Sequence, residues 1–153
     1  PSQLPNSVIA DCSSNAQTTA SSAEQQAIFL LQSLRSHDQY NTTIYGMDDR
    51  YRGIKGKRNV LFMNQQDAVQ LNLLEDQLVD IQSIANDNIV RKVCGFSVVY
   101  YDIPRGNIAA YYPETNPLVS INSVGIGSYT PTSKSIPVVI TASTKQVISV
   151  AQV

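Results

Sequence analysis

Charge is scarce in this chain. Asp, Glu, Lys and Arg make up 15% of its 153 residues, against roughly 25% in ordinary globular domains, so Ser, Thr, Asn and Gln must supply much of the polar surface. The formal net charge of -1 argues against the broad basic face that nucleic-acid binding needs, and makes any anion site a local one. Histidine occurs once and cysteine twice, as Cys12 and Cys94. Two distant cysteines cannot hold an iron–sulfur cluster; they could bridge, but they form neither a CxxC metal site nor a disulfide scaffold. Two free thiols in a cytoplasmic protein is the expectation. No apolar run reaches the roughly 18 residues of a membrane-spanning helix, and the N-terminal residues lack the basic-then-apolar pattern of a signal peptide. The first residue is Pro1, not Met, which suggests a trimmed chain or a domain taken from a longer polypeptide.

Residues 1–23 are small and polar with little periodicity, and are expected to form a flexible tail or linker. Residues 24–153 then form one domain. "AIFLLQSL" (27–34) reads as a strand buried on both sides, in preference to a helix starting at Ser22. Residues 41–59 read as a long structured loop in which Arg50, Arg52, Lys55, Lys57 and Arg58 outnumber Asp48 and Asp49. "NVLFM" (59–63) is a short strand. Asn64 caps a two-turn helix ending near Asn72, with Asp67 in the position of a capping-box acid. Further strands are expected at 77–84, at 89–103 with a bulge at Gly95, at 107–112 up to Pro113, and at 136–143. Six or so short strands with one short helix make a small barrel. In each tyrosine pair, 100–101 and 111–112, one ring should face the core and the other outward.

Four stretches carry a resemblance to a known family: "LRSHDQYNTTIYG", "NVLFMNQQDAVQLNLLEDQLVDIQS", "DIPRGNIAAYYPETNPLV" and "YTPTSKSIPVVI". In this order and spacing, across residues 30–141, the chain resembles the C-terminal molybdopterin-dinucleotide-binding domain of molybdenum/tungsten oxidoreductases, and "YGMDDRYRG" resembles the formate-dehydrogenase-like alpha subunits. The resemblance implies a mainly β fold, a six-stranded double-psi β-barrel. It implies the cofactor bis-molybdopterin guanine dinucleotide with molybdenum or tungsten, held together with preceding domains of the same polypeptide. Asn72 and Glu75 stand where that family usually has glycine.

A pterin dinucleotide offers two phosphates, a guanine and a pterin edge, which proteins grip with cations, amide side chains and backbone amides. "RSHDQYNT" has that inventory: Arg35 and His37 for phosphate or pterin edge, Ser36 and Thr42 as hydroxyls, Gln39 and Asn41 as amides, with Asn41 equally able to serve its own backbone. The plain alternative is a solvated turn. By resemblance Asn116 bonds the pterin, although between Pro113 and Pro117 it is also an ordinary turn residue. Tyr112 is the outward ring for stacking. Lys134 suits either the dinucleotide or a solvated face, and the basic loop 50–58 either phosphate or a neighbouring domain. No catalytic residue and no metal ligand is expected, so the chain alone should be inactive. The competing reading is a stand-alone barrel acting as an adaptor or substrate-binding module. A self-processing barrel would need an earlier cleavage site than Gly127–Ser128.

Overall fold

A computed structural model describes residues 26–40 and 44–143. The expected tail, Asn41 and Thr42 lie outside the described residues. The strands are β1 (Phe29–Leu34), β2 (Asp48–Asp49), β3 (Ile54–Lys55), β4 (Val60–Met63), β5 (Leu78–Ser83), β6 (Arg91–Tyr100), β7 (Asn107–Tyr111) and β8 (Ile136–Ala142). One helix, α1 (Gln65–Gln70), follows β4, and a 3-10 turn spans Asn116–Leu118.

Six strands close a barrel in the order β1-β7-β4-β6-β5-β8, while β2 and β3 pair as a separate hairpin. β1 runs parallel to β7 and β4 parallel to β6, and the remaining neighbours are antiparallel. This is the expected six-stranded double-psi barrel. The register places the C-terminal ends of β1, β5 and β7 beside the N-terminal ends of β4, β6 and β8. The loop after β1, the turn after β7 and the approach to β8 therefore share one end of the barrel, with α1 at the other.

β1 corrects one expectation. Phe29, Leu31 and Ser33 point inward, while Leu30 is 45% exposed. Period-two alternation sends every second side chain outward, and that side is covered at the strand's end, where Leu34 is half-buried, but open at Leu30 and Gln32. β4 is the strand buried on both faces. Leu61 and Met63 enter the barrel interior with Leu31, Ile81, Val98 and Val138. Val60 and Phe62 join a second cluster outside the wall with Ile54, Ala109 and Tyr111. Each such side chain contributes roughly 1.5–3 kcal/mol on burial. The β2–β3 hairpin, carrying Ile54, is thereby fixed against the wall.

Asn64 caps α1 as expected, accepting from the Gln66 amide at 2.9 Å. Asp67 does not complete a capping box. It accepts from Arg105 Nε and the Gly106 amide, both at 2.7 Å, and so pins the turn before β7. Asn72 adopts positive φ, but in the following turn the second such residue is Asp76, so Glu75 needs no glycine-like backbone. The free-thiol expectation is overturned, since Cys94 is disulfide-bonded. The thiol argument for a cytoplasmic location falls with it. Among the described residues no helix is long and apolar enough to cross a membrane.

The bulge expected at Gly95 is present. The β5–β6 register shifts between Val79 and Ile81, Gly95 takes φ 74°, and Asp80 Oδ1 accepts its amide at 3.1 Å. Gly95→Ala should destabilise the barrel by roughly 1–2 kcal/mol, the cost of a left-handed alanine. Urea unfolding measures this, and an unchanged midpoint would contradict the assigned backbone.

Candidate functional site

The loop after β1 leaves the barrel between two anchors. Tyr112 N donates to Leu34 O at 2.9 Å, and Ser33 N donates to Ser133 O at 2.9 Å. Ser36 and Gln39 then close a tight turn: Gln39 N donates to Ser36 O, and Gln39 Oε1 accepts from Ser36 N at 3.1 Å. Both side chains are buried.

They are buried around Arg58, which enters from the start of β4 and is only 6% exposed. Its Nη1 donates to Ser36 Oγ at 2.7 Å, and its Nη2 to Gln39 Oε1 at 3.0 Å and to Tyr112 O at 2.8 Å. Nε donates to Glu114 Oε1 at 2.6 Å, making an ion pair. The guanidinium lies 3.6 Å from the centroid of the Tyr45 ring. Tyr45 in turn donates to Glu114 Oε1 at 3.1 Å. Burial, and then the Glu114 carboxylate, raise the Tyr45 pKa and keep its proton in place.

A second buried cluster holds the hairpin to the same end. Asp49 accepts from Tyr111 Oη at 2.6 Å, Arg52 Nη1 at 2.7 Å and the Tyr51 amide at 3.1 Å. Burial alone would raise the Asp49 pKa, but the bonds from Tyr111 and Arg52 outweigh it and the net shift is downward. Tyr111 moves strongly upward, through burial and then its bond to Asp49. Arg52 also reaches Arg35 O at 3.3 Å, tying the loop backbone to the hairpin.

Around this frame the candidate residues separate. Arg35 is exposed at the loop's start. Lys134 reaches back from the β8 approach and donates to the Ser33 carbonyl. Burial, and next the positive charge of Arg35, lower the Lys134 pKa. Two cations from opposite ends of the domain sequence thus stand within each other's field. His37 lies mostly inside, with Nδ1 2.9 Å from Asp38, Nε2 3.2 Å from Arg50 Nη2, and its ring against Tyr51. Asn116 opens the 3-10 turn with its residue exposed, and Thr115 Oγ1 anchors that turn on Tyr111 O at 3.0 Å. Tyr112 is the partly outward member of its pair, with Oη on Tyr40 O at 3.2 Å, while Tyr111 is buried. Among the described residues no group of three His, Cys, Asp or Glu side chains is placed to hold a metal.

The Arg58–Glu114 pair and the Asp49–Tyr111 bond escaped sequence reasoning. The one available signal was the last cation of the basic loop, Arg58, two residues before the all-apolar β4. Its partner, Glu114, lies in a segment far away in sequence.

The family described as "Molydopterin dinucleotide binding domain" matches residues 29–147. Over 111 residues the chain is 52% identical to "Uncharacterized oxidoreductase Rv2900c" of Mycobacterium tuberculosis, covering 70% of this chain and 14% of that protein. It is 38% identical over 111 residues to "Protein YdeP" of Escherichia coli K12, covering 71% of this chain and 15% of that protein. The chain therefore corresponds to only a small part of the length of these relatives.

The carboxylate shifts have a definite sign. Asp49 has a native pKa below its unfolded value, so its contribution is complete above about pH 4, near the unfolded carboxylate pKa. It is lost as pH falls through the lowered native value. Tyr111→Phe removes one bond to this charged group and should cost about 1.5–3 kcal/mol at neutral pH. It should also shift acid unfolding to higher pH. Equilibrium denaturation at pH 7 and pH 3 tests both, and an unchanged acid midpoint would remove Asp49 from the account.

Proposed function

The chain belongs to the molybdopterin-dinucleotide-binding domain family, and on that premise we propose that it grips the phosphate and pterin groups of the cofactor at the barrel end carrying Arg35 and Lys134. The observation that supports this most is the pairing of those cations. Burial and Arg35 both work against the charge on Lys134. An anion in that field relieves the repulsion and gains charge-assisted hydrogen bonds. Arg35 offers several donors in one plane, and Lys134 a compact charge already oriented by the Ser33 carbonyl. Asn116 and the His37 ring, on the loops of the same end, add donors and acceptors for a ring edge. Asn41, Thr42 and Tyr112 complete the proposed set, while Ser36 and Gln39 act from below by fixing the turn. The donor set therefore fits an anionic dinucleotide.

When bound, bis-molybdopterin guanine dinucleotide with molybdenum or tungsten supplies two-electron redox chemistry. This chain contributes binding, orientation and positive potential. We assign it to a longer oxidoreductase, formate-dehydrogenase-like by the "YGMDDRYRG" stretch, whose other domains hold the metal ligands and the rest of the cofactor. The likeness to an oxidoreductase at 52% identity favours this over the adaptor barrel.

Arg35→Ala and Lys134→Ala in the full-length parent should each lower cofactor content. A charged hydrogen bond is worth roughly 1.5–3 kcal/mol, or about a tenfold to hundredfold change in affinity. Asn116→Ala should act in the same direction with a smaller effect. Lys55→Ala, on the exposed side of β3, should be silent. Metal and guanine nucleotide per mole of purified protein, with thermal melts alongside, decide it. Wild-type content in Arg35→Ala and Lys134→Ala at unchanged melting would refute the site.

A further inference from the structure

We infer that Arg58 is a positioning residue that sets the spacing between the two halves of the ligand-binding end, without itself touching a ligand. The inference rests on the site proposed above for what is being positioned, but the brace is a property of the chain alone. Arg58 is too buried to meet a bound molecule directly. Its donors go to two segments that are distant in sequence: Ser36 and Gln39 in the loop that presents Arg35 and His37, and Tyr112 O and Glu114 in the turn that presents Asn116.

Other ties between these segments among the described residues include the single bonds Gln39 Nε2 to Tyr112 O at 3.0 Å, Tyr112 N to Leu34 O at 2.9 Å and Tyr112 Oη to Tyr40 O at 3.2 Å. A guanidinium differs from these because its donors are coplanar and fixed in direction. Stacking on Tyr45 at 3.6 Å, with Tyr111 4.8 Å from the same guanidinium, removes the freedom to tilt. Loop and turn therefore cannot drift apart while all of these bonds hold.

Stability alone is a weak reason for such an arrangement. A buried ion pair can often be replaced by neutral groups of similar volume with no loss of stability, whereas removing one partner strands a buried charge. A return in geometry accounts for keeping both charges, and the two cases separate by mutation. Arg58→Met alone strands Glu114 and should lower the melting temperature. Arg58→Met with Glu114→Gln removes both charges and should recover most of that loss. If Arg58 only stabilises, every other property recovers with the melting temperature. If it positions, the loop and turn stay loose.

The test uses the full 153-residue chain, with amide hydrogen exchange and calorimetric titration of guanosine diphosphate as the probe. In the double variant, exchange at 36–40 and 112–118 should rise at least tenfold while β4, β5 and β6 keep wild-type protection. Guanosine diphosphate should bind at least tenfold more weakly. Arg58→Lys, which keeps charge without the fork, should restore the melting temperature more completely than the binding. If the double variant fails to fold, Glu114→Gln alone should still raise exchange at 112–118 about threefold. Wild-type exchange at both segments in a folded double variant, or in Glu114→Gln if that alone folds, overturns the inference. Faster exchange in a chain whose wild type takes up no guanosine diphosphate supports the brace and counts against the cofactor reading instead.

Discussion

A buried arginine cannot be left half satisfied. Leaving hydrogen-bonding groups of a charged side chain unpaired in a dry interior costs several kcal/mol, so burying Arg58 commits the chain around it. Glu114 must come close enough to neutralise it, Ser36 and Gln39 must turn their polar ends inward, and the Tyr112 carbonyl must face the same point. Tyr45 covers the guanidinium face. The conformation of the loop after β1 and of the turn after β7 follows from these demands more than from either segment's own preferences.

The barrel makes that commitment possible. Parallel pairing of β1 with β7 brings Leu34 and Tyr111 side by side, so two loops far apart in sequence leave the wall together. β4 runs antiparallel to β7, so Arg58, just before β4, lies at the same end of the barrel. The outer cluster of Val60, Phe62 and Tyr111 holds the β2–β3 hairpin over this end, and Asp49 and Arg52 lock it there. Interior packing, wall register and polar frame thus converge on one rim. The exposed groups Arg35, Asn116 and Lys134 stand on that rim.

Much of this was legible in the sequence. Short apolar runs bounded by turn residues located the six barrel strands and α1, and Gly95 marked the bulge, because these signals are local. The readings that failed or fell short involve distance. The alternation of β1 was hidden because Ile28 and Leu30 are apolar yet face outward. Asp67 sits in a capping position, but Arg105 and Gly106 come to it from across the fold. Cys94 gives no local sign of being bonded. In the loop, the composition of "RSHDQYNT" gave no sign that Ser36 and Gln39 face Arg58. Nor could composition show that Lys134 and Arg35 share a field, because only the β1–β8 pairing brings them together.

We propose that an anionic dinucleotide sits on the rim around Arg35 and Lys134. A neighbouring cleft of about 560 Å³, lined by Ser83, Asn86, Asn122 and Ser135 among others, opens at the same end of the barrel but carries no cation among its lining residues. Amide chemical-shift mapping of the 15N-labelled chain titrated with guanosine diphosphate separates the possibilities in one experiment. The account predicts that the largest perturbations fall on Arg35, His37, Asn116 and Lys134, with α1 and the turn after it unchanged. Perturbations centred on α1, or on 83–87 and 120–123 with Arg35 and Lys134 silent, would contradict it.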